Sequence, residues 1–155
     1  MELYRVSFFG HRTIFATAEL ERMLEERIRE LIRTKAFVEF YVGRNGDFDI
    51  LVASVIKRIQ KREDRSNSAM ILTLPYPVKD MEDYANYYDE IVIPVEQVHY
   101  KAVITKRNEW MVENSDLVIG CVQKKSGGAA RALQYAEKQG IPVINLGKEL
   151  PAITD

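Results

Sequence analysis

The chain has 155 residues, of which 46% are hydrophobic and 29% charged, and a formal net charge of −1. That length suits one domain with a real core, and near-neutrality supplies no global field to recruit DNA or an anionic membrane. The lone Cys121 excludes an intramolecular disulfide, no run of roughly 18 apolar residues is present to span a membrane, and MELYRVSFFGHR has no secretory pattern. A single cytoplasmic domain over residues 1–155 is therefore expected.

Short apolar runs alternate with segments of helical period. Leu3 to Phe9 is predicted as a strand, ended by Gly10. Thr17 to Thr34 is predicted as a helix, because Leu20, Met23, Leu24, Ile28, Leu31 and Ile32 recur at three and four. Phe37 to Val42 is the second strand and Gly43 ends it. Phe48 to Arg65 is the second helix, with Ile50, Leu51, Val55, Ile56 and Ile59 assigned to one face. Ala69 to Leu74 is a third strand, stopped by Pro75 and Pro77, and the polar, aromatic stretch Val78 to Asp89 reads as a short helix or a lid. Glu90 to Val95 follows as a strand, Lys101 to Asn114 as a helix, Leu117 to Val122 as a strand, Gly128 to Gln139 as a helix and Pro142 to Leu146 as the last strand. The tail from Gly147 is expected to add nothing to the core. Strands alternating with helices predict βαβ units, and so a Rossmann-like three-layer αβα sandwich around a mostly parallel sheet.

Ligands of open parallel sheets sit beyond the carboxyl ends of the strands, near the switch point in strand order. Three glycine-containing loops fall at such ends. In the first, Gly10 permits close backbone approach, and His11 and Arg12 can grip a phosphate or a base edge. The second runs Gly43, Arg44, Asn45, Gly46, Asp47, Phe48, Asp49. Asp47 suits an N-cap, and Asp49 in the first turn suits a ribose hydroxyl, a base amino group or acid–base work. The third runs Lys124, Lys125, Ser126, Gly127, Gly128. Its glycines leave amide hydrogens open at a helix N-terminus, which favours an anion, and no carboxylate competes. Phosphate is expected on Ser126, Gly127 and Gly128, with sugar or base nearer the second loop. Ser126 alternatively serves as an ordinary N-cap.

Arg107 reads either as reaching the pocket mouth or as a surface arginine, and Asn108 and Trp110 share its helix. Tyr84, Tyr87, Tyr88 and Tyr100 are candidates to stack on a base, and equally residues of ordinary packing. Cys121 reads as a small buried residue, and His11 and His99 with one cysteine make no zinc set, so no metal is expected. Lys57, Arg58, Lys61 and Arg62, with Arg65, form a basic helix tail that Glu63 and Asp64 interrupt. A solvated face is the reading there, and nucleic acid is not the expected partner.

These residues together resemble the SLOG superfamily, the Rossmann-like group that includes DprA and the LOG phosphoribohydrolases. The resemblance rests on FFGHR, on YVGRNGDFD and on KRNEWMVENSDLVIGCVQKKSGGAARALQYAEKQGIPVINL. It implies the fold and a nucleotide or nucleotide-derived ligand. LOG enzymes cleave the N-glycosidic bond of nucleoside monophosphates with an Arg-Lys pair followed by PGGxGTxxE. Arg107 and the Gly127-Gly128 pair match that signature. Asn108, Ser126, Ala130, Arg131, Leu133 and Gln134 depart from it, and the last two stand where the glutamates fall. Three readings follow: a binding or sensing module; a nucleotide hydrolase in which Asp49, His11 or Arg107 carries the chemistry; and an interaction module that pairs as a homo-oligomer or meets nucleic acid. No cofactor beyond a nucleotide ligand is implied.

Overall fold

The computed structural model describes residues 2–63, 66–95 and 99–152. Its elements run β1 (Leu3–Gly10), α1 (Thr17–Thr34), β2 (Phe37–Val42), α2 (Asp47–Arg62), β3 (Ser68–Thr73), α3 (Met81–Tyr87), β4 (Glu90–Val92), α4 (Tyr100–Glu113), β5 (Leu117–Cys121), α5 (Gly128–Lys138) and β6 (Val143–Asn145). All strand pairs are parallel, in the order β4-β3-β2-β1-β5-β6. The architecture is α/β and Rossmann-like, and the sheet is parallel throughout.

Both sheet faces are covered, which is why the strands read as nearly continuous apolar runs rather than alternating ones. Val6, Phe8, Phe40, Met70 and Leu72 face α1 and α2. Phe9, Tyr41, Ile71 and Val118 face the opposite way, toward α4 and α5. The α1 stripe is buried as its period requires, and each such Leu or Ile contributes about 1.5–3 kcal/mol by leaving water.

On α2 the buried face agrees with the sequence reading at Val55, Ile56 and Ile59 and departs from it at Ile50. Phe48, Val52, Ala53, Val55, Ile56 and Ile59 are inside, whereas Ile50 is 52% exposed. Phe48, wholly buried, sets the phase; Ile50 lies two residues on, about 200° around the helix.

The edge strands are shorter than predicted. β4 pairs only with Ile71–Thr73 and so stops at Val92, while β6 pairs only with Val118–Gly120. β3 ends at Thr73 and gives β4 no partner beyond Val92, whereas β6 gives way to a 3-10 turn at Leu146. The stretch containing Val78 to Asp89 holds the short helix α3, and the remaining boundaries move by one residue apart from the C-terminus of α2. That helix ends at Arg62, and Asp64 and Arg65 lie outside the described residues.

The C-terminal tail also departs from expectation. Leu146–Glu149 forms a 3-10 turn, Leu150 packs on the core, and the Gln123 side-chain amide donates to Gly147 O at 3.0 Å and Pro151 O at 2.8 Å. The tail thus pins the segment that follows β5.

Among the described residues no helix is long and apolar enough to cross a membrane. The basic tail of α2 is largely paired within the protein. Lys57 donates to Tyr87 O at 2.7 Å, Arg58 meets Glu21 and Glu25, and Arg62 meets Glu25. Such surface pairs are worth at most about 1 kcal/mol each, but they leave little free positive charge for a phosphate backbone.

Candidate functional site

The chain walks outward from β1 to β4, then returns to place β5 on the other side of β1. The switch point therefore lies between the carboxyl ends of β1 and β5, where a crevice must open because the following loops turn to opposite faces. A cleft of about 1010 Å³ occupies this edge, lined by the β1, β2 and β5 loops and by α4. Gly10, His11, Arg12, Gly43, Arg44, Asp49, Arg107, Ser126, Gly127 and Gly128 all reach it. Gly46 does not line it; it caps α2 against the Arg12 backbone, whose carbonyl accepts from Asp47 N at 2.8 Å. Asp47 is the exposed first residue of α2 rather than its cap.

In the β1 loop, Gly10 sits directly on the Phe48 ring, a contact that leaves no room for a Cβ. His11 turns toward the β5 loop instead of solvent. Its Nε2 accepts from Gln123 N at 3.1 Å and from Lys124 N at 3.3 Å. An accepting nitrogen carries no proton, so the neutral ring holds its hydrogen on Nδ1. Burial, and then the Lys124 charge, push the imidazole below its ordinary range.

In the β2 loop, Gly43 separates two charged groups. The site of its missing Cβ lies 3.0 Å from Asp49 Oδ2 and 3.3 Å from Arg107 Nη1. Asp49 Oδ2 accepts from Asn45 N at 2.9 Å. Burial raises the Asp49 carboxyl, against the opposing pull of that amide and of Arg107. Arg44 leans away over the Tyr84 ring at 4.6 Å, with Nη1 at 3.5 Å from Tyr88 Oη.

Arg107 is the most informative residue. It is 2% exposed, with Nη1 donating to Thr73 O at 2.7 Å and Nε to Asn108 Oδ1 at 2.8 Å. Burial lowers it and Asp49 raises it, yet a guanidinium keeps its proton. Its hydrogen-bond acceptors are neutral oxygens, and Asp49 across Gly43 is a carboxylate that acts on it without a close ion pair among the described residues, so a buried and only partly balanced cation faces the cleft. The surface-arginine reading is thereby corrected: Val103, Arg107 and Met111 form the inward stripe of α4.

In the β5 loop, Gly127 has φ 104° and ψ 172°, a region essentially reserved for glycine. It is the N-cap of α5 with no side-chain cap, so Ser126 does not take that role. Gly127 and Gly128 are exposed, and a Cβ on either would meet nothing within 4 Å. Their surroundings are open, and the first-turn amides have no intrahelical partner. Leu133 packs on Gly120 and Gln134 faces a separate shallow depression, so neither lines the cleft.

Sequence reasoning missed an apolar rim. Phe15, Tyr76 and Ile104 are 59%, 51% and 42% exposed and line the same cleft. Tyr76, set between two prolines just past β3, was the one recoverable from position alone. The tyrosines singled out earlier lie elsewhere. Tyr84, Tyr87 and Tyr88 pack edge-to-face with one another, and Tyr100 stacks on His99. Among the described residues no cluster of His, Cys, Asp and Glu could hold a metal ion.

Cys121 is buried and its thiol is pushed up to about 11. Thiolate is the reactive form, so the folded protein is expected to resist iodoacetamide at neutral pH and to react on unfolding. Rapid alkylation of the native protein, read by mass spectrometry, would contradict this.

The sheet order defines a Rossmann-like α/β domain, and its fold is similar to that of three solved structures. DNA processing protein A from Streptococcus pneumoniae matches with a TM-score of 0.65 at 16% identity, covering 91% of this chain and 49% of that one. DNA processing protein A from Helicobacter pylori, which binds single-stranded DNA, matches with a TM-score of 0.62 at 15% identity, covering 90% and 63%. The molybdenum cofactor carrier protein from Chlamydomonas reinhardtii matches with a TM-score of 0.59 at 15% identity, covering 94% and 78%. This chain thus spans about half to two thirds of the DprA proteins it matches. No family model matches the sequence, and no curated protein does.

Proposed function

We propose that the cleft binds a nucleotide or nucleotide-derived small molecule, and that the chain acts as a binding or sensing module in the cytoplasm. One observation carries this reading: an open helix N-terminus at Gly127 and Gly128 shares a cleft with Arg107, a buried cation that Asp49 balances only in part. Helix dipole and amide hydrogens favour an anion at the first, and an incompletely balanced guanidinium favours one at the second. Phosphate would sit on α5, with sugar or base toward Asp49 and the rim formed by Phe15, Tyr76 and Ile104. Among the structural neighbours, a cofactor carrier agrees with a small-molecule role. The paired-off basic tail of α2 favours it over a DNA-binding one.

A thermal-shift panel of nucleoside mono-, di- and triphosphates, ADP-ribose and NAD tests the proposal. A ligand at a hundred times its Kd adds about 2.7 kcal/mol, roughly 5–10 °C for a domain of this size. No shift from any of them at millimolar concentration would count against the reading. Turnover is the second reading, favoured by the raised Asp49 carboxyl beside Arg107. Chromatography of the same incubations for released base separates it from simple binding.

A further inference from the structure

We propose that His11 is the positioning residue of this anion site: a proton-sensitive latch whose Nε2 ties the β5 loop to the β1 loop. The proposal rests on the reading of that loop as the anion site and concerns its regulation. Gln123 and His11 are 112 residues apart in sequence, yet the Gln123 and Lys124 amides converge on one imidazole nitrogen. Ser126, Gly127 and Gly128 follow immediately along the chain. The latch therefore sets where the free amides of α5 stand relative to β1.

Protonation would turn the acceptor into a donor facing two donors, with the Lys124 charge alongside. The charged groups that line the cleft with His11 are Lys124 on the β5 loop, Arg12 on the β1 loop, Arg44 on the β2 loop, Asp49 on α2 and Arg107 on α4. Of these, Lys124 acts on the imidazole, and it opposes protonation, as burial does. The sign follows. The folded value lies below the unfolded one, so the latch contributes fully above the ordinary imidazole range. That contribution is lost as pH falls through the lowered folded value.

The direction distinguishes a latch from a ligand contact. An imidazole that touched the anion would bind it more tightly once charged; a latch makes binding weaker in acid.

The experiment uses the intact chain and two readouts at about pH 8 and pH 5, a span across which imidazole changes charge. Sulfate, whose charge is constant over that span, is titrated while the Gly127 and Gly128 amide resonances are followed. Exchange protection of the Gln123 and Lys124 amides is measured in the free protein, corrected for intrinsic rates. In the wild type, protection should fall in acid and sulfate affinity should weaken about 5-fold, the scale of one lost hydrogen bond. His11→Gln, whose carbonyl oxygen can accept but not titrate, should bind as wild type does at pH 8 and show no pH step. His11→Ala should be weak at both values. Affinity that rises in acid, protection that does not change, or a step that persists in His11→Gln would each overturn the latch. If the amides respond as stated but sulfate never perturbs Gly127 or Gly128, the latch stands and the anion reading fails.

Discussion

Arg107→Met is expected to shrink the ligand-induced thermal shift by more than half while leaving the protein folded. A hydrogen bond to a charged group is worth about 1.5–3 kcal/mol, so losing one costs roughly 10- to 150-fold in affinity. The effect on the free protein is smaller because two terms oppose. Thr73 O loses its donor, which costs about 1–3 kcal/mol in a buried setting. Against that, a desolvated cation that Asp49 balances only in part is removed and its volume filled by an apolar side chain. Arg107→Lys should not restore binding, since an ammonium cannot reproduce the planar fork that spans Thr73, Asn108 and the cleft. Parallel melting curves with and without the best ligand decide the matter. A full shift in Arg107→Met would remove this residue from the site.

Gly10→Val is expected to lower the melting temperature by roughly 2–12 °C, from overpacking of about 1–3 kcal/mol at 2–4 °C per kcal/mol. The added carbons would intrude on the Phe48 ring, which is fully buried and cannot swing into solvent. Relief must come from the neighbour, so Gly10→Val combined with Phe48→Leu should be more stable than the sum of the single changes. Coupling in such contacting pairs runs about 0.5–3 kcal/mol. A Gly10→Val protein that melts with the wild type would show that β1 ends further from α2 than the structure has it.

Much of the fold was readable because burial follows period. The α1 stripe and the strand-ending glycines fall where pattern alone puts them. On α2 the period places Val55, Ile56 and Ile59 inside, but Ile50 carries the same hydrophobic weight in a sequence, and the lodging of Phe48 beneath Gly10 leaves it outside. The three loops were readable as loops of one edge; what they do to one another was not. His11 was assigned to a ligand, yet its partners are two backbone amides far along the chain, and no local pattern encodes such a pairing. Arg107 carried a usable signal that went unread: Val103, Arg107 and Met111 recur every four residues, which puts an arginine on the inward face of α4. The rim residues Phe15, Tyr76 and Ile104 come from three separate segments and acquire meaning only once those segments meet.

The strand order has a consequence for synthesis. β1 lies against β5, as in Val6 beside Leu117, so one edge of β1 waits for residues made long after it. β1 to β4 can pair in the order they emerge, each with the strand before it. The cleft edge shared by His11, Gln123 and Gly127 forms only after β5 and the loop behind it have been made, and a nascent chain that stalls before β5 carries half a cleft.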